Sequence, residues 1–234
     1  MKRFMTPDGS ETFYSEEYKE NYHTRSGAKE EMFKKYVEPC HIRDYAEKGK
    51  VIILDFCFGM GYATAAALDA ALAENPDCAI EVWGLEKDDA MLQGILDHDF
   101  NPPFESYHLI KNMLRCKKIT NEGAKEAEGY EVRQGTNGNI HLKLLLGDAH
   151  ITMHSLPGDH FDAIFFIPFS PPKNPALWQA DVFKEMKRVL KKHGVLSTYS
   201  CAKAVRNAMQ EAGFIVKNGP LFGSRSPSTL CTKE

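Results

Sequence analysis

The sequence lacks any run of about 18 apolar residues, so no segment of it has the pattern of a membrane-spanning helix. No secretory leader is expected either: Met1-Lys2-Arg3-Phe4-Met5-Thr6-Pro7-Asp8 is basic, but no apolar stretch follows. A cytoplasmic protein with no membrane partner is expected. The six cysteines (Cys40, Cys57, Cys78, Cys116, Cys201 and Cys231) form no C-x-x-C pair. Their scatter argues against a zinc site and a disulfide framework, and for small apolar fillers in a reducing compartment. The nine histidines show no H-E-x-x-H or similar spacing, so no metal is expected. A basic surplus is also missing. The net charge of -3 weighs against a broad polyanion-binding surface and leaves only local patches for one. Lys111–Lys118 and Lys184–Lys192 are basic stretches, and a solvated helix face is the plainer explanation of either alone. There is no internal repeat or low-complexity segment, and nothing fixes the oligomeric state.

What is present is ordinary globular sequence. With 43% hydrophobic and 26% charged residues, the chain can bury a full core. Residues 1–48 are polar and rich in Glu, Lys and Tyr, with a helix expected over Ala28–Val37 and stopped by Pro39. They make an amino-terminal extension expected to pack on a domain of residues 49–234, within which 97–138 is a variable insertion. In that domain Val51-Ile52-Ile53-Leu54 has the continuous apolar run of a strand buried on both faces. A glycine loop, a helix over Ala63–Glu74 and a strand over Ala79–Leu85 complete a βαβ unit. The insertion is expected to be partly helical, with a turn at Gly135-Thr136-Asn137-Gly138. Strands are expected again at Ile140–Leu146, Phe161–Ile167 and Val195–Tyr199. Helices are expected over Gln179–Lys192 and Ala202–Ala212, with final strands beginning at Phe214–Lys217. This alternation predicts an α/β fold with a mostly parallel, doubly wound sheet.

In such a sheet ligands bind beyond the carboxyl ends of the strands. The first strand runs into Asp55-Phe56-Cys57-Phe58-Gly59-Met60-Gly61-Tyr62, where two glycines let the backbone turn tightly past a ligand. The third glycine of a dinucleotide fingerprint is missing, since Thr64 stands there. The opening carboxylate, Asp55, would repel a pyrophosphate but suits the sulfonium and ammonium of S-adenosylmethionine (SAM). The second strand ends at Glu86-Lys87, where a carboxylate can take both ribose hydroxyls. After a later strand, Gly147-Asp148-Ala149 offers an acceptor for the adenine amine beside a small residue. Each feature alone also fits a mere strand-end turn; three at three strand ends favour SAM. Tyr199-Ser200-Cys201-Ala202-Lys203 matches the Y-x-x-x-K of short-chain dehydrogenases, but Tyr199 falls at a strand end and the match is read as chance.

The most distinctive segment is Pro168-Phe169-Ser170-Pro171-Pro172-Lys173-Asn174-Pro175-Ala176-Leu177-Trp178. Its prolines stiffen the loop after the fourth strand, where a methyl acceptor would meet the sulfonium. A stiff plug at the sheet edge, with Trp178 in the core, is the structural alternative.

At this loop the sequence resembles the methyltransferase domain of the MnmC family, whose loop reads F-[AS]-P-x-K-N-P-x-[LM]-W. Thr6–Thr12, Tyr22–Ala28, Phe58–Tyr62, Ala204–Arg206 with Ala212–Phe214, and Phe222-Gly223 resemble further family elements. The resemblance implies a Rossmann-like class I methyltransferase that uses SAM to convert an aminomethyl group on tRNA wobble uridine to methylaminomethyl, with no FAD oxidase domain. It implies cofactor contacts from Asp55, Phe58, Gly59, Gly61, Tyr62, Glu86, Lys87, Asp148 and Ala149. Phe169, Ser170, Lys173 and Asn174 would form the acceptor side, and Trp178, Arg225, Tyr22 and His23 would close the pocket or touch RNA. One departure stands out: the family places an Asp two residues before the loop's Phe, and Ile167 is there instead. Another amine or nucleoside acceptor, or a catalytically silent SAM- or RNA-binding protein, are the alternatives this departure leaves open.

Overall fold

A computed structural model describes residues 2–97, 100, 102–115, 130–223 and 225–234 of the chain. It opens with a small antiparallel sheet of β1 (Lys2–Met5), β2 (Glu11–Ser15) and β3 (Glu20–Asn21). Asp8 then caps α1 (Ala28–Met32), accepting from the Glu30 N–H at 2.9 Å. The expected helix does extend to Val37, but its second half, Phe33–Val37, is a π-helical turn closed by Glu38 N–H donating to the Phe33 carbonyl at 3.0 Å. Such turns shift the register of a helix face by one residue, commonly beside a functional site. After α2 (Ile42–Glu47) comes β4 (Lys50–Phe56), buried at every position past Lys50, as its continuous apolar run requires.

The helix α3 (Tyr62–Glu74) is buried nearly all round, because α1, the π-turn and α2 lie on its outer side and the sheet on its inner side. Its alanines are the physical condition for that sandwich, since small side chains let both layers approach. Then follow β5 (Ala79–Glu86), α4 (Asp89–Leu96), α5 (Tyr107–Arg115), β6 (Glu131–Asn137) and β7 (Ile140–Leu146). The chain continues through α6 (Ala149–Thr152), β8 (Phe161–Phe166), α7 (Ala180–Val189), β9 (Leu190–Thr198), α8 (Lys203–Glu211), β10 (Ile215–Asn218) and β11 (Thr229–Thr232). Cys116 and the basic stretch beyond Arg115 lie outside the described residues. Among those described, no helix is long and apolar enough to cross a membrane.

The large sheet has the order β10-β11-β9-β8-β4-β5-β7-β6. Its five central strands are parallel, while β6, β10 and β11 are antiparallel to their neighbours. The chain moves outward from β4 to β5 and β7, then returns to lay β8 on the other side of β4. The carboxyl ends of β4 and β8 therefore flank the topological switch point, where open α/β sheets bind ligands. This is the α/β, Rossmann-like class I methyltransferase architecture.

Two expectations need correction. The helix expected to reach Lys192 stops at Val189, and Leu190–Lys192 already belong to β9. Leu190 pairs with Phe161 across a bulge, and Lys191 turns its ammonium to Asp162 at 2.8 Å, so tertiary pairing overrides the helical pattern. Gly135 and Thr136 are strand rather than turn; the turn is at Gly138, with φ 57°. Gly135 is small because any side chain there would strike the backbone of Met113 on α5.

Candidate functional site

The loop leaving β4 is built on left-handed backbone: Cys57, Gly59 and Gly61 have φ of 69°, 54° and 72°. Its anchor is Phe58. A Cβ on Gly61 or on Gly84 would come within 2.9 Å or 2.8 Å of the Phe58 ring, so both positions must be bare for that ring to bury. With Phe58 turned inward, the Gly59 N–H points to the end of β5 and donates to Glu86 Oε2 at 2.7 Å. The other carboxylate oxygen of Glu86 accepts from the Lys87 and Asp88 N–H groups at 2.8 and 2.9 Å. Burial nevertheless pushes this carboxyl above its ordinary range, with Asp88 adding like charge.

Asp55 lies behind this loop. Its Oδ2 accepts from the Thr64 hydroxyl at 2.7 Å, and its buried Oδ1 has no hydrogen-bond partner among the described residues. Burial, only partly offset by Thr64, lifts its carboxyl to about 7. An orphaned, desolvated carboxylate oxygen is a place where a cation is missed. At the end of β7, Asp148 caps α6 and takes the His150 N–H at 2.9 Å, which holds its carboxyl below the usual range.

Beyond β8, Ile167 continues the ladder by donating its N–H to the Phe56 carbonyl at 3.1 Å. The proline-rich loop is then fixed from three sides. The Tyr199 hydroxyl donates to the Pro168 carbonyl at 2.8 Å, the Trp178 indole to the Phe169 carbonyl at 2.9 Å, and the Ser170 N–H to Glu20 Oε2 at 2.9 Å. Trp178 is buried between Phe166 and Tyr199 and so holds the loop from behind. Phe169 meets Tyr18 face to face and Tyr22 edge-on.

A cavity of about 1040 Å³ opens along these strand ends. That is at the upper end of the roughly 300–1,000 Å³ usual for ligand pockets, room for a cofactor and part of an acceptor. Cys57 and Gly59, Glu86 to Asp88, Gly147 to His150, and Ile167 to Phe169 line it from the sheet, with Asn174 further along the loop. The segment from Ser15 to Arg25 covers it, bringing Tyr22 and His23 to the wall. His23 stacks on Tyr62, with ring centroids 4.5 Å apart, and burial lowers its imidazole to about 4, so it stays neutral. Among the described residues, carboxylates outnumber cations on the lining, and the most enclosed cation, Lys35, is held by Glu31 at 2.8 Å.

The structure thus gathers Gly59, Glu86, Lys87, Asp148, Ala149, Phe169, Asn174, Tyr22 and His23 on one surface. Asp55, Phe58, Gly61, Tyr62 and Trp178 stand behind the lining, with the Tyr62 hydroxyl donating to the Glu11 carbonyl at 2.9 Å. Ser170 and Lys173 are not on the cavity lining, Lys173 being exposed, and Arg225 is exposed two residues beyond the lining residue Gly223. Sequence reasoning missed Tyr18, Glu20, Tyr36 and Cys57. Tyr199 also reaches the lining, whereas Lys203 does not, so the Y-x-x-x-K match has no paired geometry.

Comparison with known proteins fits this site. The family model described as S-adenosyl-L-methionine-dependent methyltransferase matches residues 114–234, just over half of the chain. An uncharacterized protein of Methanocaldococcus jannaschii is 28% identical over 98% of this chain and 58% of its own length. The tRNA 5-methylaminomethyl-2-thiouridine biosynthesis bifunctional protein MnmC of Ralstonia nicotianae is 42% identical over 40% of this chain, which is 14% of that protein. The chain therefore matches less than two thirds of the length of either relative. The crystal structure of MnmC2 from Aquifex aeolicus superposes with a TM-score of 0.79 at 28% identity, covering 99% of this chain and 70% of that one. Spermidine synthase from Thermotoga maritima, at 12% identity and a TM-score of 0.54, shares the fold. By the family match, the glycine loop and the strand-end carboxylates together, the chain belongs to the S-adenosyl-L-methionine-dependent methyltransferases, and among them it is similar to MnmC proteins.

Proposed function

We propose that this protein transfers a methyl group from SAM to the nitrogen of an aminomethyl side chain on a tRNA wobble uridine, in the cytoplasm. The observation that carries the reading is the rigid loop after β8. It presents Phe169 and Asn174 to the same cavity that holds Glu86 and Asp148, and MnmC proteins with a matching segment are named for methylaminomethyl-uridine biosynthesis.

SAM bound here would supply an electrophilic methyl on a sulfonium. The chain's part is to hold and exclude. Glu86, already fixed by three backbone N–H groups, keeps one acceptor site on Oε2 for a ribose hydroxyl. Asp148 and Ala149 suit the adenine edge, with Lys87 at the rim. Asp55, aimed by Thr64 and one oxygen short of a partner, compensates the ligand's positive charge through the loop. Phe58, Gly61 and Tyr62 keep that loop in shape. On the acceptor side Phe169 walls the base, Trp178 and Ser170 brace the loop, and Lys173, Asn174, Tyr22, His23 and Arg225 are assigned to the approach of RNA. Methyl transfer needs alignment more than acid–base help, so positioning supplies most of the acceleration. The acidic lining favours a second reading, a small free amine as acceptor.

The test is transfer of labelled methyl from SAM to tRNA carrying an unmethylated aminomethyl wobble uridine. Incorporation that is lost in Asp55→Ala and Phe169→Ala supports the reading. SAM binding without incorporation into tRNA rejects it, and turnover on free amines alone supports the second.

A further inference from the structure

The loop that faces the acceptor, Ile167 to Asn174, contains no carboxylate of its own. One is delivered from another part of the chain. Glu20 sits in β3, its backbone set by pairing with Ser15 on β2, and its Oε2 accepts the Ser170 N–H at 2.9 Å. Glu20 is partly buried and belongs to the same cavity lining as Ile167 and Phe169. It also faces Tyr199: after burial, the charge of Glu20 is the largest contribution pushing that phenol up.

No cation of the chain answers this charge among the described residues. Lys35 is committed to Glu31, and Arg25 lies over the Phe4 ring at 4.7 Å. One backbone N–H leaves most of the acceptor capacity of the carboxylate unused. A negative, half-desolvated group beside the acceptor loop, with an aromatic wall next to it, suits a small cation on a flat ring.

We propose that Glu20 is the residue that selects and holds the methyl-accepting amine. This rests on the N-methyltransferase reading above and deepens it. The carboxylate accepts hydrogen bonds from the incoming ammonium, which yields one proton to water before reacting. The free amine then attacks through its lone pair. The N–C bond forms as the methyl's C–S bond breaks with its electron pair passing to sulfur. The proton shed by the alkylated nitrogen leaves through Glu20 to solvent. A hydroxyl in place of the amine can still donate to the carboxylate but forfeits the ion pair with it.

The experiment measures binding of 5-aminomethyluridine and 5-hydroxymethyluridine to the protein saturated with S-adenosylhomocysteine, by calorimetry, for the wild type and Glu20→Gln. The wild type is expected to prefer the amine by roughly 10- to 100-fold, and Glu20→Gln to lose that preference while affinity for S-adenosylhomocysteine stays the same. If the glutamine variant does not fold, Glu20→Asp carries the test, with a preference reduced but still for the amine. An equal preference in wild type and variant overturns the assignment, as does a wild type that does not distinguish the two nucleosides. A fall in S-adenosylhomocysteine affinity also overturns it, because Glu20 would then serve the cofactor's own ammonium. Failure to methylate tRNA alongside an intact, Glu20-dependent amine preference rejects the tRNA reading and leaves this one standing.

Discussion

The rings of Tyr18 and Phe169 lie stacked, with centroids 4.2 Å apart and planes 14° from parallel. One residue comes from the turn of the amino-terminal hairpin and the other from the loop after β8, so the stack fastens the cover to the acceptor wall. Removing the ring in Phe169→Ala takes away both this fastening and the surface for a base. Base–aromatic stacking is worth about 1–3 kcal/mol, so kcat/KM for the acceptor is expected to fall roughly 10- to 100-fold. SAM affinity, read by calorimetry, should not change.

Glu86 is the pivot of the cofactor side. Glu86→Gln keeps the shape but exchanges an acceptor oxygen for an amide that cannot accept the N–H groups now bound there. The loss of charge-assisted bonds of about 1.5–3 kcal/mol should weaken SAM binding roughly 10- to 100-fold, with KM for the acceptor little altered. Equilibrium binding of SAM and S-adenosylhomocysteine reads this directly.

Asp55 and His23 act on stability in opposite senses. The Asp55 carboxyl is raised to about 7 in the folded state, so the fold holds a proton that the unfolded chain has lost. Its contribution is present at low pH and disappears as pH rises from about 4 to 7. The imidazole of His23 is lowered to about 4, so its unfolded form takes a proton that the fold refuses. Its share of stability is lost as pH falls from about 6.5 to 4. The two slopes offset each other in the wild type. Thermal melts between pH 4.5 and 7 should therefore show stability rising with pH in Asp55→Asn and falling with pH in His23→Gln, relative to wild type.

Gly84 tests the anchoring of the cofactor loop. The Cβ of Gly84→Ala would come within 2.8 Å of Phe58 and strike Leu144 as well. Overpacking of this kind costs about 1–3 kcal/mol. Displacing Phe58 should also loosen the Gly59 N–H from Glu86. The melting temperature is expected to fall and SAM affinity to fall with it, although position 84 is not on the cavity lining.

Much of the sheet was legible because strands buried on both faces leave continuous apolar runs, as at Val51–Leu54 and Ile140–Leu146. The strand-end carboxylates Glu86 and Asp148 were legible for the same reason: the end of such a run is visible in the sequence. What the spacing does not reveal is the direction of a side chain within a left-handed loop. Phe58 and Asp55 stand in a motif expected to face the ligand, yet both are buried behind it: Asp55 within the fully buried end of β4, and Phe58 between the positive-φ residues Cys57 and Gly59. Tyr18 and Glu20 had no motif at all. They reach the acceptor wall from the hairpin turn and from β3, a two-residue strand too short to leave a pattern. Leu190–Lys192 carried helical character and became strand because pairing with β8 was worth more.

Mass spectrometry of nucleosides from tRNA incubated with the protein and SAM tests the central claim most directly. The expected result is conversion of the aminomethyl wobble nucleoside to its methylaminomethyl form, dependent on Phe169 and Glu86. A SAM-saturated protein that leaves that nucleoside unchanged while methylating a different acceptor would contradict it.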